Sequence, residues 1–338
     1  MKRYLWVLAF TSIAALGTAA CSGGSSSTPA APVDSSPSAP TASSSPPIHT
    51  ITEYVVPTAN AEPFGIAAGH DGNVWFTENA AGSVGRITPG GVITEFGLLS
   101  SGVVNPLAIV AGPDGDLWFT ENPGNNIGRI TTSGTIVEPL IAAGPEWDIT
   151  AGPDGNLWFT NNLRIGKTMG GTITEYSIPP GNSGTEPNGI ALGSDGNLWF
   201  TDPNSNKIGK ITSSGVITEY PVPTAAAIPS RITAGPDGNL WFIEVQGNKI
   251  GKITTGGAIT EYAVPTVSAY SYGIAAGPDG NIWFTESGAD KIGKITTGGS
   301  ITEYPVPRPD AIPWRITAGP DGNLWFTEYT GKIGKITL

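Results

Sequence analysis

The sequence predicts an all-β fold, a seven-bladed β-propeller of four-stranded blades. Three observations carry this: an Asp-Gly-Asn/Asp-x-Trp-Phe motif recurs seven times, its copies lie about forty residues apart, and a strand in excess at the start of the repeats matches one lacking at the end. The motif tryptophans are Trp75, Trp118, Trp158, Trp199, Trp241, Trp283 and Trp325, separated by 43, 40, 41, 42, 42 and 42 residues. Composition agrees, since 47 Gly, 30 Pro and only 13% charged residues among 338 favour short strands and tight turns over long helices.

Each element of the repeat has a local reason. The unit from Arg231 to Pro265 divides into four strands at its turn residues. Pro236-Asp237-Gly238 supplies a fixed φ, a turn-forming Asp and a Gly free to take positive φ, so it predicts a tight hairpin between the first two strands. Gly256-Gly257 predicts the turn before the fourth. Between the turns stand Ile232, Leu240, Trp241, Phe242, Ile250, Ile253, Ile259 and Tyr262, the branched and aromatic types that pack on pleated surfaces.

Fourth-strand copies run from Ile51-Thr52-Glu53-Tyr54 to Ile301–Tyr304, and the first of them has no blade before it. The sequence ends at Gly334-Lys335-Ile336-Thr337-Leu338, a third strand. Ile51–Tyr54 is therefore predicted to complete the seventh blade, closing the ring by pairing the N-terminal strand with the C-terminal blade and removing the exposed edges of an open array. An open solenoid would need polar capping repeats, and none is visible.

Ahead of the repeats, Lys2 and Arg3, the apolar run Tyr4–Gly17 and small residues before Cys21 read as an export signal over residues 1–21. Thr18-Ala19-Ala20-Cys21 resembles a bacterial lipobox, which predicts lipidation of Cys21; ordinary secretion with an incidental cysteine is the alternative. Ser22 follows where an acidic retention signal would stand, so in a cell with two membranes the outer one is the expected anchor site. Residues 22–48 are almost entirely Ser, Pro, Ala, Thr and Gly, too poor in apolar bulk to offset the entropy of ordering, and read as a flexible tether to a propeller spanning 49–338. After Cys21 no apolar run is long enough to cross a bilayer, so membrane association is expected through the lipid alone. One cysteine forms no intrachain disulfide.

In a propeller the first strand of each blade lines the central channel and the second returns beside it. Two columns of residues therefore meet at one mouth. The first, two residues before the repeated first-strand Ile, holds Phe64, Leu107, Trp147, Asn188, Ser230, Tyr272 and Trp314. It varies far more than the turn or Trp positions, and a large apolar ring suits a small molecule, glycan or protein partner; side chains that simply plug the channel are the alternative. The second, after Trp-Phe-Thr, holds Glu78, Glu121, Asn161, Asp202, Glu244, Glu286 and Glu328. Such oxygens suit a hard divalent cation, and acceptance of backbone N–H bonds from the next blade is the alternative. Arg231 and Arg315, one residue before the Ile, can pair with these acids or hold an anionic ligand group. The Glu of each Ile-Thr-Glu-Tyr and the Lys of each Gly-Lys-Ile-Thr lie on neighbouring outer strands and predict surface pairs without chemistry. Outside the leader and tether, which hold Lys2, Arg3 and Asp34, the chain carries 15 basic and 27 acidic residues, which argues against a nucleic-acid partner.

The units Gly-Pro-Asp-Gly-Asn-Leu-Trp-Phe-Thr-Glu, Lys-Ile-Gly-Lys-Ile-Thr and Ile-Thr-Glu-Tyr-Pro-Val-Pro resemble the virginiamycin B lyase (streptogramin lyase) family of seven-bladed propellers, over Ile51–Leu338. The resemblance implies a magnesium-dependent elimination that opens a cyclic ester antibiotic without water, using histidines and glutamates at the mouth. The family's histidines would stand in Pro-His-Gly-Ile or Pro-His-Ala-Ile, the slots held here by Phe64 through Trp314. The two histidines are His49, before the first repeat strand, and His70, in the first hairpin turn at the far end from the mouth. Glu186 and Asp202 in blade four, and Glu62 and Glu78 in blade one, keep the acidic positions and are the candidates for holding Mg2+, with Glu186 and Asp202 also the candidates for catalysis. Two readings follow: a binding module that uses the apolar mouth without a histidine base, or a divalent-metal lyase of the streptogramin type.

Overall fold

The computed structural model describes residues 49–98, 105–122, 126–142, 146–169, 171–179 and 184–338; the predicted signal, Cys21 and the tether lie outside them. Within this range twenty-eight strands form seven four-stranded antiparallel sheets, and no helix is long and apolar enough to cross a membrane. In chain order the strands are β1 to β28. Blade five shows the pattern with β18 (Pro229–Ala234), β19 (Leu240–Glu244), β20 (Lys249–Ile253) and β21 (Ile259–Ala263), each paired with its sequence neighbour. The first strand of every blade touches the first strand of the next, and that of blade seven touches that of blade one.

Ring closure is as the sequence predicts. β1 (Ile51–Val55) pairs antiparallel with β28 (Lys332–Ile336) from Ile51 opposite Ile336 to Val55 opposite Lys332, in one sheet with β26 (Pro313–Ala318) and β27 (Leu324–Glu328).

The invariant letters of the repeat do packing work. In blade five the Asp237 carboxylate accepts hydrogen bonds from Trp241 Nε1 (3.0 Å) and from the Asn239 backbone (3.3 Å), tying the hairpin turn to a fully buried indole. Burial raises the carboxyl's pKa, but these bonds outweigh it and hold Asp237 below its usual range. Lys252 Nζ lies 5.1 Å from the Trp241 ring centroid and Tyr262 stacks on the same indole at 5.7 Å. Gly251 is required because a Cβ there would meet the Phe242 ring at 2.2 Å. Gly257 combines φ +94° with a Cβ position 2.1 Å from Tyr220 of the preceding blade.

The Thr of Trp-Phe-Thr joins neighbouring blades. Thr77 Oγ1 accepts from Gly65 N (2.8 Å) and donates to Leu107 O of blade two (2.7 Å). Thr160, Thr201 and Thr285 reach Asn188, Ser230 and Trp314 in the same way, and Thr327 donates to Phe64 O (2.9 Å) across the ring closure. The carbonyl acceptors belong to the first mouth column, so these bonds fix its backbone.

One expectation is corrected. Glu261 pairs with Lys249 (2.8 Å), the Lys of Lys-Ile-Gly, rather than with Lys252. Register explains it: Glu261 lies opposite Gly251, so it shares a face with Lys249, while Lys252 lies opposite Thr260 and points to the turn Asp and the indole.

Candidate functional site

The mouth is built on a register break. In blades one, two, three, five and seven the first strand pairs with the second at its first residue and again from the repeated Ile onward, with an irregularity between. The two residues in that break are the mouth residue and the one following it, freed from the ladder and turned toward the channel end.

The position immediately before the Ile carries Gly65, Ala108, Asp148, Gly189, Arg231, Gly273 and Arg315. Asp148, Arg231 and Arg315 line one central cavity of about 130 Å³, together with the isoleucines Ile66, Ile109, Ile149, Ile190, Ile232, Ile274 and Ile316. Arg231 Nη1 donates to Asp148 Oδ2 (2.8 Å) and to Asn188 O (3.2 Å), and its Nη2 lies 3.5 Å from Trp147 O. Asp148 Oδ2 also accepts from Ile190 N (3.1 Å). Arg315 Nη1 stands 4.0 Å from Asp148 Oδ1, its guanidinium carbon lies 5.5 Å from the Phe64 ring centroid, and its Nη2 is buried without a hydrogen-bond partner. Burial pushes the Asp148 carboxyl up, opposed by the Arg231 charge and the Ile190 and Ile149 amides; burial pulls Arg231 down, opposed by Asp148.

Above this layer the first mouth column divides. Phe64, Tyr272 and Trp314 form one aromatic group, with Trp314 stacked on Tyr272 at 4.2 Å and tilted against Phe64 at 5.4 Å and against Tyr329 at 5.9 Å. Trp314, Leu107 and Ser230 are buried, whereas Phe64, Trp147, Asn188 and Tyr272 keep partial exposure and are the members a ligand can reach. Burial also raises the Tyr272 phenol above its usual pKa.

The acidic column sits elsewhere. Glu78, Glu244, Glu286 and Glu328 are fully or almost fully buried and turn toward the fourth-strand glutamates Glu95, Glu261, Glu303 and Glu53. Burial, then the neighbouring carboxylate, raises Glu78, Glu244 and Glu328 to about 8 and Glu286 to about 7. They keep their protons to a higher pH than an ordinary carboxyl, each beside a fourth-strand glutamate, which Lys249, Lys291 or Lys332 pairs with in blades five, six and seven. For these four members the neighbouring group is a fourth-strand glutamate of the ring rather than a backbone N–H of the next blade.

The magnesium candidates can be tested on their surroundings. Asp202 is fully buried and its Oδ1 lies 3.3 Å from the backbone N–H of both Glu186 and Ser205. Glu62 accepts from the Tyr329 hydroxyl (2.7 Å), and burial raises Glu78 to about 8. Among the described residues no three His, Cys, Asp or Glu converge as a metal-binding group. This donor set does not fit Mg2+, which needs open, ionised oxygens in near-octahedral array, and no step is derived through it. The histidines are distant from the channel: His49 Nδ1 bonds Thr337 O (3.0 Å) and packs edge-on against Trp283 and Tyr304, while His70 sits in the turn after β2 (Pro63–Ala68).

The Virginiamycin B lyase family model matches residues 48–161 and 139–338. The chain belongs to the virginiamycin B lyase family. A streptogramin B lyase structure is 42% identical with a TM-score of 0.80, the match covering 86% of this chain and 98% of that one. Virginiamycin B lyase from Staphylococcus aureus matches at 42% identity and a TM-score of 0.80, over 86% of this chain and all of that one. A catalytically inactive histidine-to-alanine variant of the same enzyme with quinupristin matches at 43% identity, TM-score 0.80 and the same coverage. The WD40 propeller of Doa1, 12% identical with a TM-score of 0.68, shares the fold alone.

Within this family frame, Glu186-Pro187-Asn188-Gly189-Ile190 carries an amide where the resemblance places histidine. The residue that sequence reasoning missed is Asp148. Its signal was present in the column before the Ile, where one acid and two arginines stand among Gly and Ala.

Proposed function

We propose that the protein is an exported, lipid-anchored, lyase-like propeller that binds a small ligand at its channel mouth without performing the family's elimination. The observation that carries this is the content of the mouth: aromatic surface from Phe64, Trp147 and Tyr272 over a charged Asp148, Arg231 and Arg315 layer, with His49 and His70 both remote from it. Elimination needs a base within hydrogen-bond reach of the proton removed. The mouth offers guanidiniums, a carboxylate committed to Arg231, an amide and a phenol whose pKa burial has raised, and no imidazole. The variant named as catalytically inactive, a relative with one histidine replaced by alanine, supports the same reading.

The test is incubation of residues 49–338 with quinupristin and magnesium, followed by chromatography and mass spectrometry, beside a histidine-containing relative. The expected result is no ring-opened product of unchanged mass from this chain and full conversion by the relative. Product that disappears with chelator or on Glu186→Gln would establish the lyase reading instead. Anchoring is tested separately: Cys21→Ala should abolish palmitate labelling and release the protein from membranes.

A further inference from the structure

The central channel holds an electrostatic imbalance. Two guanidiniums and one carboxylate share a cavity of about 130 Å³ walled by isoleucines. Arg231 is committed to Asp148, with Asn188 O and Trp147 O also within reach of its guanidinium. Arg315 is not so committed: it stands 4.0 Å from Asp148, rests against Phe64, and has a buried Nη2 without a partner. A positive charge taken out of water without a full counter-charge is costly, and the cost is offset when an anion enters.

We propose that the channel is a binding site for a small apolar molecule bearing one carboxylate, with the carboxylate on Arg315 and the apolar body against Phe64 and Tyr272 at the mouth. The ligand class follows from charge and shape. The layer carries one net positive charge, which a monoanion neutralises; a phosphate dianion would leave an uncompensated negative charge beside Asp148. A planar carboxylate matches the guanidinium fork. Arg231 and Asp148 are positioning residues, their pair locking Asp148 so that it does not swing onto Arg315. Gly189 and Gly273 of the same column let the strands that carry Arg231 and Arg315 pack close beside them, since a Cβ there would meet the backbone of the next blade at 2.7 or 2.6 Å.

The inference rests on reading the mouth as a ligand site, but its test reads charge-dependent binding rather than turnover, so the two fail separately. Benzoate, benzamide and inorganic phosphate are titrated calorimetrically into residues 49–338 in chloride-free buffer. Benzoate should bind, with benzamide and phosphate about tenfold to a hundredfold weaker. Arg315→Gln should bring benzoate down to the benzamide level, and Arg315→Lys should restore part of the affinity. Asp148→Asn, which frees Arg231 and raises the net charge, should strengthen benzoate and admit phosphate. Circular dichroism melts confirm that each variant is folded; if Arg315→Gln does not fold, the benzoate and benzamide comparison on the unaltered protein and Asp148→Asn decide. Equal binding of benzoate and benzamide, undiminished benzoate binding by folded Arg315→Gln, phosphate binding tighter than benzoate, or no heat from any of the three overturns the assignment.

Discussion

At the scale of single residues, the bond from turn Asp to motif Trp recurs in every blade, and it lets a large indole be packed with its N–H satisfied. Asp237→Ala removes the acceptor and leaves the buried Trp241 N–H without one, an expected loss of about 1–3 kcal/mol in urea unfolding. The cost should shrink when the same change is made in Trp241→Phe, where no N–H remains; equal costs in both backgrounds would show that the bond is not what the carboxylate supports. This motif was fully legible in the sequence because Asp, Gly and Trp each answer to a local rule. Asp148 was not. Its column reads as scaffold when four of its seven members are Gly or Ala, and only the closed ring shows that an acid in blade three reaches an arginine in blade five across Gly189.

At the scale of the blade, strands and turns followed from composition and spacing, whereas the fate of the acidic column depended on register. Nothing in the spacing of Glu244 and Glu261 announces that they share a face, because that rests on Phe242, Gly251 and Glu261 falling in one row. The consequence is a pH dependence with a definite sign. Glu78, Glu244 and Glu328 are raised to about 8 and Glu286 to about 7, so these acids bind protons more tightly folded than unfolded. Their contribution is fully present below the ordinary carboxylate pKa and is lost as pH rises through about 7 to 8. On the acid side Asp237, Asp279 and Asp321 act oppositely, being held low, and lose their contribution as pH falls through their folded values. Thermal stability should therefore peak in mildly acidic buffer and fall toward pH 9. Glu244→Gln with Glu286→Gln should flatten the alkaline fall and raise the melting temperature at pH 9, since a neutral amide keeps the shape and never ionises. A steeper fall in that double variant would mean the pairs are ionised in the folded protein.

At the scale of the whole molecule, one closure turns seven similar units into a ring, and it has two parts of different kinds. Pairing of β1 with β28 was legible as an arithmetic offset of strands, because a fourth strand without a blade and a blade without a fourth strand have one mutual solution. The Thr327 bond to Phe64 O was not legible, since a Thr inside Trp-Phe-Thr reads as strand propensity until its hydroxyl is seen to span 263 residues of sequence. The two parts should fail differently. Thr327→Val keeps the strand and its packing but leaves Phe64 O unpaired at the mouth, so the melting temperature should drop by a few degrees, with cooperativity intact, for a loss of about 1–3 kcal/mol. Near-ultraviolet dichroism should change with it, because Phe64 and Trp314 are neighbours at that point. Deleting residues 49–56 instead exposes the whole edge of β28, and an unpaired edge is a template for another chain. That variant should associate on size-exclusion chromatography and lose a single sharp transition, because blade seven then has three strands and is joined to blade one by first-strand packing and the Thr327 and Tyr329 hydrogen bonds without strand pairing. A monomeric deletion variant that melts like the intact ring would mean that packing between first strands, rather than closure through β1, holds the propeller shut.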